Sequence, residues 1–226
     1  MDIVKKLAVL ACCCVLSGCI TNNYIEYYVP PSIANSTNEV EQKKENDKEK
    51  RIFVYFIAPI NNISVSTLIR KIDEYLAKNN VKNINIFINS GGGDTADGIA
   101  VYNYLKNLDV KVNTYNISSV KSAATYLYCA GDERYSINGS SFLFHNITSQ
   151  LNIMDMDEVI LRGKNMEIEK NVMIKIYKSC FSKNEKLINS IFEKGAIIKT
   201  PEDMRIGLTH KIIEKLPAPG KDDILL

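Results

Sequence analysis

The chain has 226 residues, 46% of them hydrophobic and 24% charged, with a formal net charge of +2. That near balance, without a basic stripe interleaved with aromatics, excludes a dedicated nucleic-acid binder. Two histidines and no Cys-x-x-Cys pair give no metal-ligand spacing, so neither a metal nor a cofactor is expected.

Met1 to Lys6 carries two lysines, Leu7 to Leu16 is apolar, and Leu16-Ser-Gly-Cys19 follows. An apolar run of about ten residues is half of the roughly 20 that span a bilayer, and with these flanks it reads as a secretory signal. The tetrad resembles the bacterial lipobox, in which the cysteine is lipidated and opens the mature chain. Residues 1–19 are therefore expected to be a lipoprotein signal, with Cys19 anchoring the protein on the periplasmic or cell-surface face of a bacterial membrane. An ordinary signal peptide with incidental Cys12, Cys13 and Cys14 is the alternative. Residues 20–50 turn polar and then densely charged from Glu41 to Lys50. Such a run has no face to bury and predicts a tether.

Residues 51–216 suit one domain around a single core, with 217–226 as a C-terminal tail. Ile52 to Ile57 reads as a strand, Ser64 to Ala77 as an amphipathic helix through Leu68, Ile72 and Leu76, and Ile84 to Ile88 as a buried strand. Gly91-Gly-Gly93 then joins that strand to a helix over Thr95 to Leu105. Glycines there let bare N–H groups approach a ligand at a helix N-terminus. Next come a strand over Val110 to Ile117, a short apolar helix over Ser122 to Ala130 stopped by Gly131, and strands over Arg134 to Ile137 and Ser141 to His145. Helices over Met154 to Cys180 and Asn184 to Lys194 follow. The alternation predicts an α/β fold, a mainly parallel sheet with flanking helices and right-handed crossovers. Of six cysteines, Cys129 and Cys180 fall in this domain, both in apolar helical patterns. They are expected to be buried free thiols, although an exported protein permits a disulfide.

Two side chains stand out chemically. Ser122, where a strand passes into a buried helix, is suited either to be a nucleophile or to cap the helix. His145 closes an apolar strand and is suited to general-base work, since an unperturbed imidazole titrates near pH 6.5. His210 reads as a surface residue.

These features together carry a resemblance over residues 51 to about 215. Ile88-Asn-Ser-Gly-Gly-Gly is similar to the Ile-Asn-Ser-Pro-Gly-Gly of the Clp protease proteolytic subunit, with Gly91 replacing the proline. Val120-Lys-Ser-Ala-Ala124 resembles its nucleophile segment, Ala130-Gly-Asp132 the end of its nucleophile helix, His145-Asn146 its histidine segment, and Thr200-Pro-Glu-Asp-Met-Arg-Ile-Gly-Leu208 its Ala-Pro-Glu-Ala-x-x-x-Gly-Leu. The resemblance extends to phage head-maturation proteases and to the wider superfamily shared with crotonases, and it implies that fold. It also implies a serine endopeptidase with Ser122 as nucleophile and His145 as general base. The backbone N–H groups of Gly93 and Ala123 would form the oxyanion hole, and Gly91 and Gly92 would flank an extended substrate peptide. The pattern fails at the third catalytic position. Gly195 stands where the family carries an aspartate that orients the histidine; the nearest acid, Glu193, is the candidate for that catalytic role if the loop is rearranged, and an exposed helix-end glutamate is the other reading.

The implied protein is a membrane-anchored peptidase that acts on peptides or unfolded proteins and assembles as a homo-oligomeric ring through its long helix. An ATP-driven unfoldase partner is not expected outside the cytoplasm. A catalytically weak or inactive scaffold that binds peptides or partners is the alternative, favoured by Gly195. A crotonase-type acyl-CoA enzyme fits least, because it needs neither the serine nor the histidine.

Overall fold

The computed structural model describes residues 49–148, 155–181, 184–200 and 202–226. The signal segment, Cys19 and nearly all of the expected tether lie outside them. In chain order the elements are β1 (Lys50–Phe56), α1 (Asn62–Lys78), β2 (Val81–Ser90), α2 (Thr95–Lys106), β3 (Lys111–Lys121), α3 (Ala124–Cys129), β4 (Glu133–Ile137), β5 (Ser141–Phe144), α4 (Met156–Cys180), α5 (Glu185–Lys194), β6 (Ala196–Lys199), α6 (Glu202–Arg205), β7 (Lys211–Ile213) and β8 (Ile224–Leu225). Side chains of Asn61, Asp94, Asp155 and Asn184 accept the N3 amide of α1, α2, α4 and α5. Helix starts are thus fixed by local capping chemistry.

Among the described residues the strands form one sheet in the order β6-β5-β3-β2-β1-β8, with β4 paired to β3 and β7 to β4. Among the described residues only the β5–β6 pairing is antiparallel. A parallel sheet covered on both faces wants apolar side chains on both, and β2 supplies them. Ile84, Ile86 and Ile88 join the main core with Leu68, Ile72, Val101 and Leu105 from the helices, while Phe87 points to the other face with Phe53 and Tyr115. On that face Phe87, Tyr115 and Tyr135 stack across three strands, each successive pair of ring centroids 4.7 Å apart.

Two features depart from the expectation drawn from the sequence. The expected free thiols are instead a disulfide: Cys129 ends α3, Cys180 ends α4, and their Cα atoms lie 5.4 Å apart. Packing of α3 on α4 makes this pair, helped by a 2.8 Å hydrogen bond between the hydroxyls of Thr125 and Tyr177. The second is β8, at the end of the segment expected as a tail, which pairs with β1 and is pinned by an ion pair between Arg51 and Asp223. Arg134 adds a tie across the domain. Its buried guanidinium donates to the carbonyls of Gly131, Cys180, Gly207 and Leu208.

Candidate active site

The glycine turn is held from both sides. Ser90 Oγ donates to the Ala58 carbonyl at 2.6 Å and accepts the Gly92 amide at 3.2 Å. Ile60 donates its amide to the Gly92 carbonyl at 2.9 Å and accepts the Asp94 amide at 2.8 Å. This pattern leaves the Gly93 N–H without a protein acceptor among the described residues. Gly92 has φ of 86°, and a Cβ there would sit 2.6 Å from the Ser122 Cβ and 3.0 Å from the Ala123 amide nitrogen. Only bare backbone fits this close to the candidate nucleophile.

Ser122 has φ of 52°, the only positive value at a non-glycine among the described residues. Such a conformation costs about 1–3 kcal/mol and persists only where its surroundings enforce it. They do so here, because the Ser122 amide donates to the Leu143 carbonyl at 2.8 Å and its carbonyl accepts both the amide and the hydroxyl of Thr125. The N-cap of α3 is Ala123, and no side chain caps that helix. The serine hydroxyl is therefore not spent on capping. The Ala123 N–H also has no acceptor among the described residues, so the two amides expected as oxyanion donors are both unpaired and both border Gly92.

His145 is brought beside this turn by strand pairing. Lys121 of β3 and Leu143 of β5 are partners in a parallel pair, so Ser122 and His145 emerge from the carboxyl ends of neighbouring strands, where ligands of open α/β sheets bind. His145 is half-buried, and its Nδ1 lies 2.7 Å from the carbonyl oxygen of Asn146. With Nδ1 protonated, that contact is a donated hydrogen bond and Nε2 keeps its lone pair. Asn146 is itself anchored, its side chain donating to the Phe192 carbonyl at 3.4 Å and accepting the Ile147 amide at 2.9 Å. No hydrogen bond joins Ser122 to His145 in this structure. Proton transfer needs a separation of about 2.6–3.2 Å, a distance that catalytic pairs commonly reach only with substrate bound.

The third position stays bare. The register Phe144↔Ala196 puts Gly195 opposite His145, and Gly195 has φ of 71° and ψ of 170°. Glu193 is exposed on the last turn of α5 and makes no hydrogen bond with His145. The Asn146 carbonyl lies against Nδ1, where a carboxylate was expected, and no side-chain pattern announces a backbone acceptor. Gly91 is exposed with open space around it, whereas both backbone groups of Gly92 are already bonded within the protein. Gly92 therefore has both main-chain groups engaged, and Gly91 is the exposed one of the two. His210 is exposed and pairs with Glu133 at 3.0 Å. No cluster of three or more His, Cys, Asp or Glu side chains able to hold a metal occurs among the described residues.

A cleft of about 300 Å³ opens beside Gly93, bounded by Asp94, by Thr148 downstream of His145, and by Arg162, Asn165 and Glu169 of α4.

A family model described as Clp protease matches residues 36–216. Among solved structures, a point variant of ClpP1 from Listeria monocytogenes is similar with a TM-score of 0.62 and 19% sequence identity, covering 77% of this chain and 95% of that one. The likeness at that identity is one of fold, a central and mostly parallel sheet with flanking helices.

Proposed function

The chain belongs to the Clp protease family, a family of serine peptidases, and from that membership we propose that it is an exported, membrane-anchored peptidase using Ser122 and His145 as a dyad. The observation that carries this reading is the forced left-handed backbone at Ser122 beside the two unpaired amides of Gly93 and Ala123. Ser122 Oγ attacks the scissile carbonyl while His145 Nε2 takes its proton. The oxyanion then accepts the Gly93 and Ala123 N–H groups, donors whose individual removal in other serine hydrolases costs on the order of 10²–10³ in rate. The imidazolium returns the proton to the leaving amine, and water resolves the acyl-enzyme by the reverse use of the same base. The Asn146 carbonyl preserves the required tautomer but offers a dipole in place of a full negative charge. A slow enzyme is expected, and the inactive peptide-binding scaffold is the second reading, favoured by Gly195 opposite His145.

The compartment is inferred from chemistry. The lipobox-like Leu16-Ser-Gly-Cys19 and the Cys129–Cys180 disulfide both suit an oxidising, extracytoplasmic setting. Without ATP there, substrates would be short peptides or already unfolded chains. Ring assembly through α4 is supported by the exposed Met156, Val159, Ile160, Leu161 and Ile168 on its N-terminal half. The reading is tested by membrane fractionation of wild type and Cys19→Ala, together with hydrolysis of an unfolded protein such as reduced casein by wild type and Ser122→Ala. Anchoring requires that only the alanine variant leaves the membrane fraction, and peptidase activity requires that hydrolysis depends on Ser122.

A further inference from the structure

The stripe of α4 that meets the body of the protein changes chemistry along its length. In the C-terminal half it is Met173, Ile176, Tyr177 and Cys180, all buried against α3 and the core. Continued backwards at helical spacing, the same stripe presents Glu169, Met166, Asn165 and Arg162, and these line the cleft beside Gly93. Packing alone would continue the apolar stripe; over the cleft it becomes polar. On the opposite wall Asp94 follows the oxyanion glycine directly.

The charges there are unequal. Asp94 and Glu169 contribute two carboxylates against the single guanidinium of Arg162, which is itself partnered. Glu169 is held in place, since Asn165 donates to its Oε1 at 2.8 Å. Asp94 spends one oxygen on the Asp97 amide at 3.0 Å. Each carboxylate keeps one oxygen without a protein hydrogen bond among the described residues. The negative field at this rim is felt by Asp97, whose carboxyl is pushed up by burial and by the charge of Asp94.

We propose that this cleft receives a lysine or arginine side chain of the substrate, next to the scissile bond, with Glu169 and Asp94 as the residues that select it. The inference rests on the dyad reading, because it is the Gly93 amide that would seat the reacting carbonyl at the mouth of the cleft. A basic side chain of that length fits a cleft of about 300 Å³, at the small end of ligand pockets, and its charge would meet the free oxygens of both carboxylates.

The test uses the full-length protein and fluorogenic peptidyl-aminocoumarins that differ only in the residue before the leaving group: Lys, Arg, Leu or Glu. Wild type should cleave the Lys and Arg peptides at least tenfold faster in kcat/KM than the Leu and Glu peptides. Glu169→Gln should reduce that preference severalfold, Glu169→Lys should reverse it in favour of Glu, and Asp94→Asn, which keeps the helix cap, should weaken it further in combination. Labelling of wild-type Ser122 by an uncharged fluorophosphonate, which places no side chain in the cleft, reads the dyad separately. Equal rates for the four peptides, or a preference that survives Glu169→Lys, would overturn the subsite while normal labelling left the dyad standing. Loss of labelling in wild type would remove both.

Discussion

His145 and Gly195 face one another across the antiparallel β5–β6 pair, so that a Cβ placed on Gly195 would lie 3.7 Å from the His145 Cβ and 3.0 Å from the Phe144 carbonyl oxygen. The missing carboxylate is therefore a matter of one backbone position. An aspartate there would stand next to the imidazole, but it would have to adopt φ of 71° with ψ of 170°, a region essentially reserved for glycine. Gly195→Asp is expected to lose about 1–3 kcal/mol of stability, read by urea unfolding; a variant as stable as wild type would show that the backbone at 195 accepts an L-residue without strain. Because Glu193 is exposed and does not bond His145, Glu193→Gln should leave reactivity at Ser122 unchanged, and a tenfold fall would restore it as the orienting acid.

The Cys129–Cys180 bridge closes a loop with a sequence separation of 51 residues between the ends of α3 and α4. Removing a bridge of this kind costs about 2–5 kcal/mol in small exported domains. The paired replacement of both cysteines by serine should lower unfolding stability by that amount, and non-reducing peptide mapping of wild type should return the two cysteine peptides joined. Free thiols at both positions in protein isolated without reductant would contradict the bridge, and with it the oxidising compartment proposed above.

Much of this was legible because the sequence signals were local. Ile84, Ile86 and Ile88, the Gly91 to Gly93 turn, and the apolar helix after Ser122 each announce their own element, and the order of elements then implies the parallel sheet. Ser122 and His145 could be singled out for the same reason, each lying at the end of a strand. What escaped were relations between distant segments. Nothing local pairs Cys129 with Cys180, lays Ile224–Leu225 beside β1, or turns the Asn146 carbonyl onto His145. The backbone strain at Ser122 is invisible in composition, because a serine at a helix start is ordinarily a cap.

The C-terminal strand has its own pH signature. Burial opposes ionisation of Asp223, yet hydrogen bonds from the Arg51 side chain and the Gly220 amide, together with the charge of Arg51, hold its carboxyl below the usual value. A depressed folded-state pKa contributes stability above the ordinary aspartate value of about 3.9, and that contribution is lost as pH falls through the lower folded value. Asp223→Asn should cost a modest amount at pH 7, under about 1 kcal/mol because Arg51 is half exposed, and the difference from wild type should shrink as the pH is taken below about 4. Denaturant unfolding at the two pH values reads both quantities.

The central claim, that Ser122 is a nucleophile activated by His145, is tested most directly by covalent labelling of the assembled full-length protein with a fluorophosphonate, followed by mass spectrometry of the modified peptide. The account predicts a single adduct on Ser122, abolished in Ser122→Ala and reduced at least a hundredfold in rate in His145→Ala, about 2.7 kcal/mol of barrier, with both variants folded. A wild-type protein that is folded and assembled but acquires no adduct on Ser122, or one whose labelling is indifferent to His145, would contradict it.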